Sequence, residues 1–169
     1  RDDQPAGRGA RMSDRHHHHH GSASAVELVT FHLGDLWIGI DIHRVQEIIR
    51  LRDLTVVPHA PAFIRGVINL RGEVITIVDL RRILGLGTTP IGADTQNVIV
   101  RSEDELIGIL VDRVGDVVFA EEDTIEPAPG NLDGPIAEYV DRVHKTRDAL
   151  LCIIDTEAAL AAEGAEAAT

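Results

Sequence analysis

An internal repeat of short aliphatic segments constrains the fold of this chain more than any other feature. Residues 35–49 align with residues 104–118: each stretch contains Ile-Gly-Ile, then Arg-Val, then an acidic residue and two aliphatic residues. A second echo follows in the same order, in which Ile-Thr-Ile-Val-Asp at 75–79 aligns with Leu-Cys-Ile-Ile-Asp at 151–155. Two echoes in one order predict two similar halves, each with a few short strands and a small helical turn. Short strands at regular spacing are typical of small closed barrels, which remove exposed sheet edges.

Local patterning predicts where the strands and short helices lie. Apolar residues alternate on both sides of the Gly34-Asp35 turn, and Arg71-Gly72 separates two further apolar runs. The predicted strands are 28–33, 36–42, 67–70, 73–78, 97–101, 106–111 and 150–154. The other predicted elements are a helical turn over 43–50, a short helix over 80–84 ended by Gly85, a long acidic connection over 120–135, and an alanine-rich helix capped by Thr156.

The amino-terminal stretch differs in character from the rest of the chain. Residues 1–24 have no apolar periodicity, so they are predicted to form a disordered tail. This stretch includes His16–His20, a run typical of a purification tag. A native histidine-rich tail that binds metal weakly is the alternative. Residues 25–165 are predicted to form a single domain.

Charge and hydropathy limit the partners of this domain. The formal net charge is −12 and the pI is near 5.0, which argues against nucleic acid because phosphate neutralisation needs a basic face. No stretch approaches the roughly 20 apolar residues of a membrane helix, and no secretory signal is apparent. We therefore expect a cytoplasmic protein without direct membrane insertion, whose partners are other proteins.

Signatures of catalysis and metal binding are absent from the sequence. There is no glycine-rich phosphate loop followed by Lys-Ser/Thr and no Gly-x-Ser-x-Gly elbow. The histidines outside the run are His32, His43, His59 and His144, and none has metal-ligand spacing to cysteine or carboxylate. Cys152 lies in a buried-strand pattern, where its thiol is expected to be inert. We predict no catalytic residue, no metal site and no cofactor, as is typical of an interaction module.

Several motifs together resemble the CheW family of chemotaxis adaptor proteins. The first is Gly-Ile-Asp-Ile-x-x-Val-Gln-Glu-Ile-Ile at 39–49, and the second is Pro-Ala-Phe-Ile-Arg-Gly-Val-Ile-Asn-Leu-Arg-Gly at 61–72. Ile-Val-Asp-Leu-Arg at 77–81 continues the likeness, which reappears over 108–117 in the second half. The resemblance covers most of the predicted domain, and the 61–72 segment is its most specific part.

The resemblance implies an all-β fold with short helices, built as two SH3-like five-stranded β-barrel subdomains within one CheW-like domain. It also implies a non-catalytic adaptor that couples the cytoplasmic tips of methyl-accepting chemoreceptors to the regulatory domain of a CheA-type histidine kinase. Such a protein is located in the cytoplasm, associated with membrane-anchored receptor arrays. Two alternatives remain open: a CheW-like scaffold of a non-flagellar chemosensory pathway, and a module that binds a small ligand.

The resemblance also implies a set of partner-binding residues. They are Arg71, Asn69, Gly72, Glu47, Val45 and Gly66. Arginine presents a planar fork of donors suited to carboxylates and amides on a partner, and interface cores are enriched in it. For Arg71, partner contact competes with the interpretation that it braces its own turn through loop carbonyls. For Glu47, partner contact competes with a solvated side chain.

The chain departs from the family pattern in two places. Thr76 stands where the family usually has proline. Residues 139–148 lack the glycine-led turn that usually precedes the last strand. Because the second segment helps to form the second barrel, the choice of receptor is the property most affected.

Overall fold

The computed structural model describes residues 24–167, with side chains described as far as residue 161. The predicted tail over 1–24, with its histidine run, lies outside the described residues except for Ser24. The strands are β1 (Ala25–Leu33), β2 (Leu36–Asp41), β3 (Val45–Arg50), β4 (Ile64–Leu70), β5 (Glu73–Asp79), β6 (Gln96–Ser102), β7 (Glu105–Val111), β8 (Arg113–Glu121), β9 (Ile125–Pro127), β10 (Val140–Lys145) and β11 (Leu150–Ile154). The helices are α1 (Leu80–Ile83), α2 (Ile136–Tyr139) and α3 (Thr156–Ala167), and single 3₁₀ turns occupy Ile42–Arg44 and Glu122–Thr124. Over 24–167, no helix has the length and apolarity needed to cross a bilayer.

The strands form two sheets. Sheet A has the order β8-β1-β2-β11-β10-β9, and sheet B has the order β3-β6-β7-β5-β4. Pairing is antiparallel except between β2 and β11 in sheet A and between β5 and β7 in sheet B. The predicted all-β class with short helices is confirmed, and the sixth strand of sheet A is the three-residue β9.

The two sheets do not coincide with the two halves of the sequence repeat. After the β1–β2 hairpin the chain crosses to the other sheet, where β3 pairs with β6. After the β6–β7 hairpin it crosses back, and β8 pairs with β1. Sheet B is therefore built from one continuous segment, and sheet A from the segments on either side of it. The two crossovers are the 3₁₀ turn Ile42–Arg44 and the single residue Asp112.

The aliphatic side chains are divided among three apolar clusters because successive side chains of a strand point to opposite faces. The largest cluster lies between the sheets, with Phe31 and Ile38 from sheet A and Ile109 from sheet B, all at most 1% exposed. A second cluster around Ile75 lies on the other face of sheet B, and a third around Leu151 on the other face of sheet A. Each fully buried side chain of this size contributes roughly 1.5–3 kcal/mol.

The prediction of a helical turn over 43–50 is wrong for most of its length. Only Ile42–Arg44 forms a 3₁₀ turn, and Val45–Arg50 is strand β3. Half-buried residues alternate with exposed ones along β3, which is a period of two, and pairing with β6 decides the conformation. The predicted long connection over 120–135 is also partly ordered, since β8 ends within it at Glu121 and β9 follows.

The prediction that Thr156 caps the alanine-rich helix is wrong, because Thr156 is the first residue of α3 and the side chain of Asp155 caps it by accepting from Ala158 N at 3.2 Å. Other local predictions are confirmed. The β6–β7 hairpin closes through Glu103 and Asp104, and α1 ends at Ile83, shortly before Gly85 with its φ of 72°. The side chain of Asp79 caps α1 by accepting a hydrogen bond from Arg81 N at 3.1 Å.

The same carboxylate holds the loop that follows α1. Asp79 is completely buried, and Oδ2 accepts from Arg65 Nη1 and from Thr89 N, each at 2.9 Å. Its Oδ1 also accepts from Thr89 Oγ1 at 2.7 Å. A buried carboxylate is stable only with such partners, so this network fixes the loop over 87–95 against sheet B.

Candidate functional site

The Asn69–Gly72 segment forms the tight hairpin that joins β4 to β5. Leu70 pairs with Glu73, which leaves Arg71 and Gly72 as a two-residue loop, and their φ angles are 50° and 84°. Positive φ at both positions is the geometry of a type I′ turn, whose twist suits a hairpin. The turn is supported by Asn69, whose Oδ1 accepts a hydrogen bond from Gly72 N at 3.0 Å.

Arg71 is an unusual residue for the first position of this turn. The left-handed conformation costs a residue with a Cβ on the order of 1 kcal/mol, and asparagine or glycine is the common choice. A strained conformation that persists is a reason to look for a use of the side chain. In the structure the Arg71 side chain is 70% exposed.

The Arg71 guanidinium donates a hydrogen bond to Glu47 Oε2 and forms an ion pair with it. Among the described residues, this is the bond that the structure gives to the Arg71 side chain, and the interpretation that Arg71 braces loop carbonyls receives no support. Glu47 lies on β3 and Arg71 at the end of β4, which are opposite edges of sheet B in the order of hydrogen bonding. Contact between the two edges means that sheet B is curled until they approach, as in a barrel.

A groove lies where these two edges approach. It has a volume of about 440 Å³. Its lining residues are Ile49, Arg50, Arg52, Asp53, Ile68, Asn69 and Leu70. The floor continues into the apolar cluster of sheet B through Ile49 and Leu70. The charged residues of the lining are Arg50, Arg52 and Asp53.

The predicted site residues fall into two groups. Asn69, Arg71, Gly72 and Glu47 lie together at this end of sheet B, which we call the Arg71 face. Val45 shares β3 with Glu47 but is half-buried and packs against the cluster between the sheets.

Gly66 is buried away from the Arg71 face. Its φ is 149°, and an added Cβ would lie 2.3 Å from the carbonyl oxygen of Thr55. Thr55 and Val67 exchange two backbone hydrogen bonds, at 2.9 and 2.8 Å, directly beside this glycine. Gly66 therefore allows a neighbouring segment to approach β4, and any effect of it on a partner acts through the position of β4.

Comparison with known proteins assigns the fold to a family. The pattern of the CheW-like domain matches residues 27–164, which is most of the chain. The chain belongs to the CheW-like domain family. "Chemotaxis protein CheW" of Treponema pallidum is 33% identical over 133 residues, covering 76% of this chain and 78% of the relative. "Chemotaxis protein CheW" of Klebsiella aerogenes is 32% identical over 143 residues, covering 85% and 86%.

One solved structure and one further sequence relative agree with this assignment. Scaffolding protein TtCheW from Thermoanaerobacter tengcongensis superposes with a TM-score of 0.71 at 32% identity, covering 78% of this chain and 90% of that one. "Protein FrzA" of Myxococcus xanthus is 36% identical over 88 residues, covering 52% of this chain and 55% of the relative. The predicted resemblance to CheW proteins and the predicted fold class are confirmed.

The CheW-like domain carries exposed apolar side chains that sequence reasoning missed. Val74, beside the Arg71 turn on β5, is 66% exposed, and Phe119 on the edge strand β8 is 68% exposed. Alternation predicts which residues of a strand share a face, but whether a neighbour covers that face depends on the tertiary arrangement. The position of β8 at an edge depends on the crossover, which the repeat alone does not reveal.

The described residues show neither an activated cysteine nor a cluster of metal ligands. Cys152 is buried in β11, and burial raises the pKa of its thiol, which disfavours the reactive thiolate. Within residues 24–167, no three His, Cys, Asp or Glu side chains are placed to hold a metal ion.

Proposed function

We propose that this chain is a non-catalytic adaptor that couples chemoreceptors to a CheA-type histidine kinase in chemotaxis signalling. The observation that carries the proposal is the match of nearly the whole described fold to the CheW-like domain, with relatives named as chemotaxis protein CheW. The protein of the superposed structure is described as a scaffold, which accords with a role in holding partners together.

The Arg71 face is the proposed contact surface. Arg71 remains mostly exposed while paired with Glu47, so donors of its guanidinium fork remain free for a partner carboxylate or carbonyl. Asn69 and Gly72 set the conformation of the turn, and Glu47 orients the arginine. Val45 and Gly66 act indirectly, by fixing the positions of β3 and β4.

The proposed partners differ in shape. The regulatory domain of the kinase, which has the same fold, docks by contact between barrels. The tip of the receptor docks as a helix in an apolar groove. Both partners place the adaptor in the cytoplasm beside membrane-anchored receptor arrays.

A second candidate is a CheW-like scaffold of a non-flagellar chemosensory pathway. The similarity to FrzA supports this candidate, because FrzA is a relative whose name is not chemotaxis protein CheW. The segment over 139–148, which departs from the family pattern, lies in sheet A and includes β10. Receptor preference is the property by which the two candidates differ.

The test measures binding of the CheA-type kinase and of a soluble receptor tip from the source organism to the full chain. Arg71→Ala and Glu47→Ala are expected to weaken kinase binding by about 5- to 30-fold, as loss of a central interface residue does. Arg113→Ala is the matched control, because Arg113 is an exposed arginine on β8 of sheet A, whereas the Arg71 face belongs to sheet B.

Thermal unfolding of each variant confirms that the fold is retained. Unchanged binding of both partners by both variants contradicts the site assignment. Failure of the parent protein to bind either partner contradicts the adaptor function itself. A tight small-molecule ligand found by calorimetry would instead favour a ligand-binding module.

A further inference from the structure

Each of the two crossovers between the sheets forms an ion pair with a helix. The two helices, α1 and α3, follow β5 and β11, which are the strands of the second echo. Asp112, the crossover from sheet B to sheet A, pairs with Arg81 of α1, which follows β5. Arg44, in the crossover from sheet A to sheet B, pairs with Glu157 of α3, which follows β11. Arg81 and Glu157 are equivalent in the second echo of the repeat, since each lies two residues after the aligned aspartate. The two pairs therefore occupy related places, but the positive charge lies on the helix in the first pair and on the crossover in the second.

The two pairs differ in burial and in support. The Arg81 and Asp112 side chains are 19% and 25% exposed, whereas those of Arg44 and Glu157 are 46% and 48% exposed. Asp112 Oδ2 also accepts from Gly34 N at 2.8 Å, which joins a third element to this half-buried pair. An exposed pair is worth only about 0–1 kcal/mol and is screened by salt, so the outer pair is the weaker connection.

The two helices also differ in how firmly they pack. The four-residue α1 and the residue after it place Leu80, Ile83 and Leu84 in the cluster between the sheets. The described part of α3 places only Ala159 and Leu160 there. Beside α3, a groove of about 460 Å³ separates the helix from the β6–β7 hairpin and reaches Ile107.

We infer that α3 is a strap over the edge of the inter-sheet core, which opens independently of the sheets, and that the Arg44–Glu157 pair is its latch. Opening uncovers Leu160 and Ile107, which are apolar, next to the start of β3. The half-buried Arg81–Asp112 pair holds the sheets together at the other crossover while the strap moves. Local opening of this kind occurs where few apolar contacts hold an element.

Hydrogen exchange of α3 amides, read by mass spectrometry on the full chain, tests this inference. Arg44→Gln is expected to accelerate exchange in α3 by about two- to fivefold, the equivalent of an exposed pair, and to leave β5–β7 unchanged. Glu157→Gln is expected to have a larger effect, since it also removes a negative charge from the first turn of the helix. The double variant is expected to match Glu157→Gln, because the pair is lost only once.

Two controls distinguish a latch from general weakening. Lys145→Gln breaks the comparably exposed Lys145–Glu126 pair far from α3 and is expected to leave α3 exchange unchanged. High salt is expected to accelerate α3 exchange in the parent protein but not in Arg44→Gln. The inference is overturned if α3 amides are unprotected in the parent, if Arg44→Gln has no effect, or if exchange accelerates equally throughout the chain. None of these readouts depends on the kinase or the receptor.

Discussion

Asp79 and Asp155 end equivalent strands of the two halves, yet their surroundings are opposite. Asp79 is completely buried and accepts hydrogen bonds from Arg65 and Thr89 as well as from the first turn of α1. Asp155 is exposed and accepts one bond from Ala158 N at 3.2 Å, in the first turn of α3. The difference arises because a loop covers the first strand end and no equivalent loop is described over the second. Repetition of a sequence thus reproduces the backbone, while the segments that are not repeated decide the environment.

Of the substitutions at these two equivalent aspartates, the one in sheet B is expected to have the larger effect. Asp79→Ala leaves the Arg65 guanidinium without its carboxylate partner in a mostly buried site and is expected to lower the free energy of unfolding by about 3 kcal/mol or more. Asp155→Ala removes only an exposed cap and is expected to cost about 1 kcal/mol. Urea unfolding of both variants measures the difference. Equal losses would show that burial does not distinguish the two positions.

The glycines of the repeated Ile-Gly-Ile sequence provide a second, smaller contrast. A Cβ added at Gly108 would lie 2.4 Å from Ile77 Cδ1, so Gly108→Ala is expected to cost about 1–3 kcal/mol through overpacking. At Gly39 the nearest atom is Leu151 Cδ1 at 3.3 Å, and reduced freedom of the unfolded chain offsets the crowding. Gly39→Ala is therefore expected to change stability by less than about 1 kcal/mol. The same urea series tests this, and a larger loss at Gly39 would reverse the comparison.

The smallest energetic effect, and the sharpest chemical one, concerns Cys152 and its counterpart Thr76. Thr76 is half-buried, whereas Cys152 is buried, and burial raises the pKa of its thiol above the ordinary value. A cysteine placed at Thr76 in a Cys152→Ala background is expected to react with a disulfide reagent at least about tenfold faster than Cys152 does in the parent protein. Comparable reaction rates of the two cysteines at pH 8 would contradict this, because they would show that the reagent reaches Cys152 in β11 as readily as position 76 in β5.

The raised pKa also fixes the sign of a small pH effect. The folded state favours the protonated thiol, so this contribution to stability is present below the ordinary thiol pKa and is lost as the pH rises through the folded-state value. Cys152→Ala is expected to flatten the decline of stability on the alkaline side. Denaturant melts from pH 7 to pH 10 measure the slope.

Sequence reasoning predicted those features that depend on neighbouring residues. Alternation identified the strands of the β1–β2 and β6–β7 hairpins, and Arg71-Gly72 was sufficient to predict a turn between β4 and β5. The resemblance assigned the fold class and brought Arg71 and Glu47 into one set of site residues.

Features that depend on distant segments were not predicted. The conformation of 45–50 is set by pairing with β6, and the contact of Glu47 with Arg71 requires sheet B to curl until its edges approach. The separation of Gly66 from the Arg71 face depends on the approach of Thr55. Each of these outcomes depends on segments brought together by tertiary folding, which local patterns of one strand do not encode.

The order in which the chain contributes strands to the two sheets has a consequence for synthesis on the ribosome. All strands of sheet B lie between Val45 and Val111, so sheet B is complete while sheet A still lacks β8 and the strands after it. At roughly 5–20 residues per second, the β1–β2 hairpin waits several seconds for its neighbours to emerge. During that interval the edges of the hairpin are unpaired, and unpaired strand edges are templates for pairing with other chains.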